Sequence, residues 1–594
     1  MLSPNECTGQ LSAIAPYCVC DTASALQPSL RLQARPVFPP PVSAQQWVDV
    51  SMSCLQHSRI PLERLMGMME DTAGAVMGND ATTSDSSPLQ ASAEGCVQNP
   101  PSHQLRPNSH IDSNSPVMED DGGPNRNPWS SIGVGTGNAS RRCIAARFLL
   151  LGSQVGLMGG TNASLRTAVR MAEGALAMFR CPLAATQLAL TCCCLACLDQ
   201  AAGDRDLLEK KARELLHYAT RDVMKSAFPS STDIVLLSKQ SWICALVGET
   251  QTAMKIVQFL CERSQVDVEA IVLMALLHSA TGDYGEALTV ARRAEEIHPH
   301  SILSGVVFTV LQNAVNEADH FNNKNSGSHL TVLVARMEGI STNASQLAAA
   351  ATRRVAHFDA DAENGLSILG AAWSDFNSYG RLVAGQWALL AHAALLCGCV
   401  DVSRIAAEAG LEYVGSAKCE YRQAYCDLLC CAVGVKIEQI ERSIDYFRQR
   451  SHSVAPCGST TGSLEVEDAR CADDLRALVN SSELLVVQTM LEKVLEVGDN
   501  CAEAYLLLGQ LNLLEALVSG VTHDVLETQL VNAAHYFQLA IDCNPRLAAA
   551  YEGMGRVREE QGAIEMSLDS FTSAAELRHR EPVISYEKFL YMLL

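Results

Sequence analysis

The sequence has few aromatic and few basic residues. Aromatic residues make up 5% of the 594 positions, and 44 lysines and arginines stand against 66 aspartates and glutamates, so the formal net charge is −22. Because β-sheets draw on aromatic and β-branched side chains, the first shortage favours helices. The second disfavours nucleic acid and anionic lipid as direct ligands, since both attract positive surfaces. Apolar residues still make up 48% of the chain, which predicts a folded protein.

Signals for export and for membrane insertion are also scarce. The N-terminus, MLSPNECTGQLSAIAP, has no basic segment followed by an apolar run, so we expect no secretory signal and a cytosolic or nuclear location. Two uncharged stretches, Cys181–Leu198 and Leu382–Val400, approach the length of a bilayer span. Pro182 and Gln187 interrupt the first stretch and Gln386 interrupts the second. We therefore expect buried helices rather than membrane spans.

Cysteine is abundant, with 23 residues, and without export these are expected to stay reduced. The densest group is Cys192, Cys193, Cys194 and Cys197, whereas the nearest histidine, His217, stands alone. A CxxC spacing supplies half of a structural zinc site, which also needs a second cysteine pair or histidine partners, so this group is incomplete. In apolar helices a cysteine packs as a small hydrophobic side chain. The sequence also lacks a phosphate-binding loop, a GxSxG motif and an HExxH motif. We expect no metal, no cofactor, no catalytic residues and no enzymatic activity.

A 34-residue period is the main positive feature. Gly248 and Gly282 are 34 residues apart, and so are Ala253 and Ala287. This period, with small residues where two helices must approach closely, is typical of the tetratricopeptide repeat. In that repeat, a small residue at position 8 lets the second helix pack closely against the first, and a glycine lies in the turn between them.

The C-terminal part contains a second pair of repeats in the same register. Tyr505-x-x-Leu508-Gly509 and Tyr551-x-x-Met554-Gly555 match positions 4, 7 and 8. The first unit continues with small or aromatic residues at the expected later positions and then a proline: Ala533, Phe537, Ala540 and Pro545. From Tyr505 to Tyr551 the chain advances 551 − 505 = 46 residues, which is 12 more than one repeat. We expect the extra residues to lie in the turn between the two helices, at about 518–530.

The predicted fold is all-α, an α-solenoid of tetratricopeptide (helix-turn-helix) repeats with disordered insertions. The predicted organisation is an N-terminal region with some helix (1–80), a disordered low-complexity segment (81–140), helical repeats (141–316), a flexible insertion (317–330), helical repeats (331–450), a flexible linker (451–470), and C-terminal repeats with a terminal capping helix (471–594). The residues Glu581–Leu594 carry an apolar face that we expect to pack on the last repeat or on another protein.

The order of these repeats resembles the tetratricopeptide-repeat-seven, or Ypp1-like, scaffold family. The resemblance covers roughly residues 230–594 and rests on Asp267–Pro299, on Gln386–Ala394 and on Tyr551–Gly562. It implies a non-enzymatic subunit that holds a phosphatidylinositol 4-kinase at the plasma membrane through a palmitoylated anchor protein and a hyccin-like subunit. Plant relatives bind calmodulin. The implied location is cytoplasmic and peripheral at the plasma membrane.

The expected function is therefore that of a protein-interaction scaffold. The alternative is an adaptor of another assembly, such as a ciliary transport or ubiquitin-ligase complex. Solenoids bind extended peptides or helices along the groove formed by the first helix of each repeat. The polar residues on these predicted faces are the candidate partner contacts: Lys239, Gln240, His278, Gln510, Asn512, Arg556 and Arg558.

Overall fold

A computed structural model describes most of the chain from residue 162 onward. The described residues are 162–198, 202–225, 231–263, 267–318, 325–358, 366–415, 421–453, 482–497, 501–518 and 523–592, with scattered positions in 142–157. The predicted N-terminal region (1–80) and low-complexity segment (81–140) lie outside these residues.

The described residues form helices and no strand. Their α-helices are α1 (Asn162–Met178), α2 (Pro182–Leu198), α3 (Ala202–Lys225), α4 (Ser231–Leu246), α5 (Thr250–Arg263), α6 (Val268–Ala280), α7 (Tyr284–Ile297), α8 (Ile302–Ala318), α9 (Asn325–Phe358), α10 (Leu366–Leu396), α11 (Val400–Val414), α12 (Arg422–Ser453), α13 (Ser482–Val497), α14 (Ala502–Val518), α15 (His523–Cys543), α16 (Ala548–Glu560) and α17 (Ile564–Arg578). A short 3-10 helix (Tyr586–Met592) follows α17. From α4 onward, each even-numbered helix packs on the helix that follows it.

One turn geometry recurs where the helices of a pair meet. Gly248, Gly282, Gly398 and Gly562 all have positive φ, between 66° and 83°. After each of them, the next backbone N–H donates to the carbonyl five residues earlier, over 2.8–3.0 Å. This is the Schellman motif, which caps the first helix and which glycine adopts without a steric penalty. The 34-residue spacing of the first two glycines is therefore the spacing of two identical turns.

Small side chains lie where the two helices of a pair cross. Ser567 on α17 donates its hydroxyl to the carbonyl of Gly555 on α16, over 2.9 Å. Ser403 on α11 makes the same bond, over 2.8 Å, to the carbonyl of Ala391 on α10. The donor and acceptor are 12 residues apart in both pairs, so the two pairs share one register. The chain is an all-α solenoid of tetratricopeptide-type repeats.

Two predicted irregular segments contain more helix than expected. Helix extends into the predicted insertion at 317–330, because α8 continues to Ala318 and α9 begins at Asn325. The predicted turn at 518–530 is wrong over its second half, because α15 begins at His523. The physical reason is the same in both places. Leu330 and Leu530 are buried, with 0% and 3% of their surfaces exposed, so these stretches have apolar positions that helical packing covers.

The array curves enough for distant repeats to touch. Arg205 on α3 donates to the carbonyl of Ala196 over 2.8 Å and also to the carbonyl of Cys543 at the end of α15. Arg546, in the turn before α16, donates to the carbonyl of Leu246 over 3.0 Å and to Glu209 over 2.9 Å. The α3–α4 region therefore lies directly against the α15–α16 turn. No helix within the described ranges is both long and apolar enough to cross a membrane.

Candidate interaction groove

The candidate contacts on α4 and α6 have different surroundings. Gln240 is fully buried, and its side-chain amide donates to Thr186 Oγ1 on α2 over 2.8 Å, so it joins two helices within the core. Lys239, next to it, is half-buried. His278 is half-buried in the last turn of α6, and its carbonyl accepts the Schellman hydrogen bond from Asp283.

The remaining candidates lie on α14 and α16. Gln510 and Asn512 are half-buried, and the Asn512 amide donates to the carbonyl of Leu508 over 2.8 Å. Arg556 is exposed and pairs with Glu552 on its own helix. Arg558 donates to Ser570 Oγ over 2.6 Å and so ties α16 to α17. A role in partner binding stays a prediction for all seven residues.

A more concentrated site lies where the C-terminal segment (Glu581–Met592) enters the interior of the array. Its Phe589 is fully buried, and the ring centroid lies 5.1 Å from that of Trp242 on α4. The backbone N–H of Val583 donates to Ser279 Oγ on α6 over 3.1 Å. The C-terminal segment thus contacts residues at least 304 positions earlier in the chain.

The fit of Tyr591 is so close that it depends on a glycine. Tyr591 packs directly on the backbone of α10 at Gly385, where an added β-carbon would lie 2.6 Å from ring atom Cδ1. Carbon atoms in ordinary contact are about 3.5–4.0 Å apart. Gly385 lies inside a helix, where alanine would stabilise the helix itself by about 1 kcal/mol. Its presence therefore makes room for the tyrosine ring.

Lys588 of the C-terminal segment is held by two acidic residues from different repeats. Its Nζ lies 3.0 Å from Asp427 Oδ1 on α12 and 2.6 Å from Glu503 on α14. Only 9% of the Lys588 side-chain surface is exposed, against 12% for Asp427 and 30% for Glu503. Burial alone would lower the pKa of Lys588, but the two carboxylates raise it well above its usual value. The lysine is therefore a fixed positive charge inside the array.

This positive charge affects the groups around it. Burial raises the pKa of Asp427, although Lys588 opposes the effect. At Glu503 burial also acts to raise the pKa, but Lys588 and His392 prevail and lower it. Burial lowers the pKa of His392 on α10 to about 4, and the nearby lysine adds to that shift. The imidazole is thus neutral at pH 7, while Glu503 is ionised to pair with the lysine.

We call the surface that receives the C-terminal segment the interior groove, and define it by Trp242, Ser279, Gly385, Asp427 and Glu503. The sequence predicted a capping helix on the last repeat or an apolar face for another protein. The structure has a 3-10 helix instead, and the segment reaches back to the interior groove, because its aromatic and basic side chains meet matching partners there. The segment also contacts the last repeat, where the backbone N–H of Ala548 donates to Glu581 over 3.3 Å.

Sequence reasoning did not identify the acidic half of the interior groove. Asp427 lies among apolar residues of α12, and an unpaired carboxylate is rarely buried in such a stretch. That isolated charge was the available signal. It predicts a cationic partner, although it gives no indication that the partner is Lys588.

Several titratable groups outside the interior groove have raised pKa values. Burial raises the pKa of the Cys192 and Cys194 thiols to about 12, so neither is an activated nucleophile. Across the part of the chain that the structure describes, no group of three or more histidine, cysteine, aspartate or glutamate residues could hold a metal ion. Glu269 in the first turn of α6 has its pKa raised to about 7, first by burial and then by Asp267.

Comparisons with known proteins give no family and no function for the chain. No family model and no curated protein matches the chain. The solved structures similar to it include the human IFIT1 dimer with PPP-AAAA, at 12% identity over 66% of this chain and 68% of that one, with a TM-score of 0.29. They also include yeast Tom70, at 9% identity over 76% and 91% with a TM-score of 0.28, and the APC/C Cut9–Hcn1 assembly, at 11% over 73% and 87% with a TM-score of 0.20. The resemblance to the Ypp1-like family is not confirmed.

Proposed function

We propose that the chain is a non-enzymatic scaffold that binds protein partners along the inner faces of its helix pairs. The observation that supports this proposal is the interior groove, which holds a polypeptide segment with a short 3-10 helix by a tilted aromatic contact, a backbone hydrogen bond and a buried ion pair. Solenoids of stacked repeats present such concave surfaces to their binding partners.

The assembly that we propose for this scaffold is a phosphatidylinositol 4-kinase complex at the plasma membrane. Its other members would be the kinase, a lipidated anchor protein and a hyccin-like subunit. The order of repeats and insertions over residues 230–594 supports this choice. The net charge of −22 is consistent with it, because an acidic protein is repelled by an anionic leaflet and would reach the membrane through a lipidated partner.

Affinity purification of the tagged full chain from its native organism tests this proposal. Recovery of a phosphatidylinositol 4-kinase together with an anchor protein is the expected result. Recovery of a ciliary transport or ubiquitin-ligase assembly instead would contradict the kinase proposal but would still support the scaffold proposal. Recovery of no stoichiometric partner after cross-linking would contradict both. Calcium-dependent retention of the chain on immobilised calmodulin tests the calmodulin interaction separately.

Variants of the candidate contacts can connect the recovered complex to the inner helix faces. Lys239→Glu is expected to reduce partner recovery, because it reverses a half-buried charge on α4. The matched control is Arg404→Glu on α11, an arginine whose side chain is 45% exposed and pairs with Glu408 of its own helix. Equal recovery with both variants would contradict a role for the α4 face.

A further inference from the structure

The interior groove combines features that select a particular kind of peptide. Trp242 supplies an aromatic surface, Gly385 leaves space for a second ring, and Asp427 and Glu503 together bind one cation. Burying a cation is costly compared with burying an apolar side chain of similar size. A segment that served only to fill the interior would be expected to have an apolar residue at the position of Lys588. The paired carboxylates therefore favour specific recognition of a basic residue.

The hydrogen bonding around the C-terminal segment is also incomplete. The hydroxyl groups of Tyr586 and Tyr591 and the indole N–H of Trp242 are buried and have no hydrogen-bond partner among the described residues. Each such group reduces the stability of the bound arrangement. Glu503 keeps 30% of its side-chain surface exposed although it is bonded to Lys588, so solvent reaches one side of the ion pair. These features fit a segment that can be exchanged better than they fit a permanent part of the core.

We propose that the interior groove is a binding site for a partner segment in which a lysine or arginine is next to an aromatic residue, and that the chain's own C-terminal segment occupies it as an intramolecular ligand. This inference rests on the proposed scaffold function and specifies its binding chemistry. A partner then binds by displacing the C-terminal segment. A tethered ligand competes at a high effective concentration, so the groove is accessible only in the fraction of molecules whose C-terminal segment has left.

The test uses a fluorescein-labelled synthetic peptide with the sequence of Glu581–Leu594, and fluorescence anisotropy as the readout. The full chain with Lys588→Glu and Phe589→Ala is designed to release the C-terminal segment without changing any residue that defines the interior groove. This released variant should bind the peptide at least about tenfold more tightly than the unaltered chain, because about 90% occupancy by the tethered segment weakens binding by that factor. A peptide with Lys588→Glu should not bind, and neither should the released variant after a further Asp427→Lys change.

A second design depends on Gly385 and does not change the C-terminal segment. Gly385→Ala should exclude Tyr591, because the new methyl group would collide with its ring. This variant should bind a peptide carrying Tyr591→Ala and reject the unaltered peptide. Circular dichroism and thermal unfolding show whether both variants are folded.

The proposal is overturned if folded variants of both designs bind no peptide, or if the unaltered chain binds it as tightly as the released variant. Loss of folding in both designs would also overturn it, since the C-terminal segment would then be a structural part of the core. None of these outcomes depends on the purification experiment. Failure of the scaffold proposal is thus distinguishable from failure of this one.

Discussion

Phe537 packs against two glycines, and this arrangement predicts whether replacing either glycine with alanine stabilises or destabilises the C-terminal repeats. The ring is fully buried on α15 and contacts both Gly509 of α14 and Gly553 of α16. A β-carbon at Gly509 would lie 2.7 Å from ring atoms Cδ1 and Cε1, and one at Gly553 would lie 2.8 Å from Cδ1. Both distances are well below the ordinary separation of about 3.5–4.0 Å.

Two effects oppose each other when either glycine becomes alanine. Alanine stabilises a helix interior by about 1 kcal/mol relative to glycine. Overpacking a well-filled core costs about 1–3 kcal/mol. Because the ring is enclosed by both helices, we expect the second effect to prevail and each substitution to destabilise the C-terminal repeats by about 1 kcal/mol. In a chain that also carries Phe537→Leu, the collision is removed and Gly553→Ala should become stabilising.

Hydrogen exchange of the α14–α16 amides is the appropriate assay, because repeat arrays open locally rather than all at once. A loss of 1 kcal/mol should speed exchange about fivefold. The matched control is Gly339→Ala on α9, where an added β-carbon meets no atom within 4 Å, so that exchange around it should slow. The reasoning is refuted if Gly553→Ala slows exchange in α16 as Gly339→Ala does in α9.

Three further predictions concern other parts of the chain. Gly282→Ala should destabilise the α6–α7 turn by about 1–2 kcal/mol, because φ at Gly282 is 83°. Gly285→Ala, in the first turn of α7, should not destabilise it. Equal amide hydrogen exchange rates at that turn in the two variants would contradict this prediction. The pKa of Glu269 is raised in the folded chain, so its carboxylate reduces stability at any pH above the usual pKa of 4.5. Glu269→Gln should therefore raise the thermal midpoint at pH 8 by the equivalent of roughly 2 kcal/mol and should have no effect near pH 4. An unchanged midpoint at pH 8 would contradict this prediction. Iodoacetamide at pH 8 should modify Cys192 and Cys194 slowly in the folded chain, because their thiols stay protonated, and should alkylate both in denaturant, as mass spectrometry of peptides would show. Rapid alkylation in the folded chain would contradict the raised pKa values.

The features that could be predicted from the sequence are those that local physics determines. Gly248 and Gly282 mark turns because a Schellman cap needs a residue that accepts positive φ, and their spacing gives the repeat length directly. Gly509 and Phe537 reflect the close approach of two helices within one repeat. In both cases the interacting residues belong to the same or adjacent helices, so their positions in the sequence specify which groups meet.

The interior groove was not predictable in this way. Lys588 contacts Asp427, 161 residues earlier in the chain, and Glu503, 85 residues earlier. Both contacts depend on the accumulated curvature of the intervening helices. A small rotation at each repeat boundary determines which helix faces the C-terminal segment, and sequence periodicity does not specify that rotation. The 12 extra residues of this repeat illustrate the same limit. Their number follows from the sequence, but the start of α15 within them depends on packing around Leu530.

The contacts between distant repeats also distinguish this chain from a simple linear array. In such an array each repeat contacts only its neighbours, and the ends unfold independently. Here Arg546 joins the α16 end to α3 and α4, and the C-terminal segment joins α4 through Phe589 to α12 and α14 through Lys588. The two walls of the interior groove are therefore held together by the segment that occupies it. A partner that supplied only the cation would leave Trp242 on α4 without the ring that Phe589 provides, so a complete replacement must supply both the cation and the neighbouring aromatic ring.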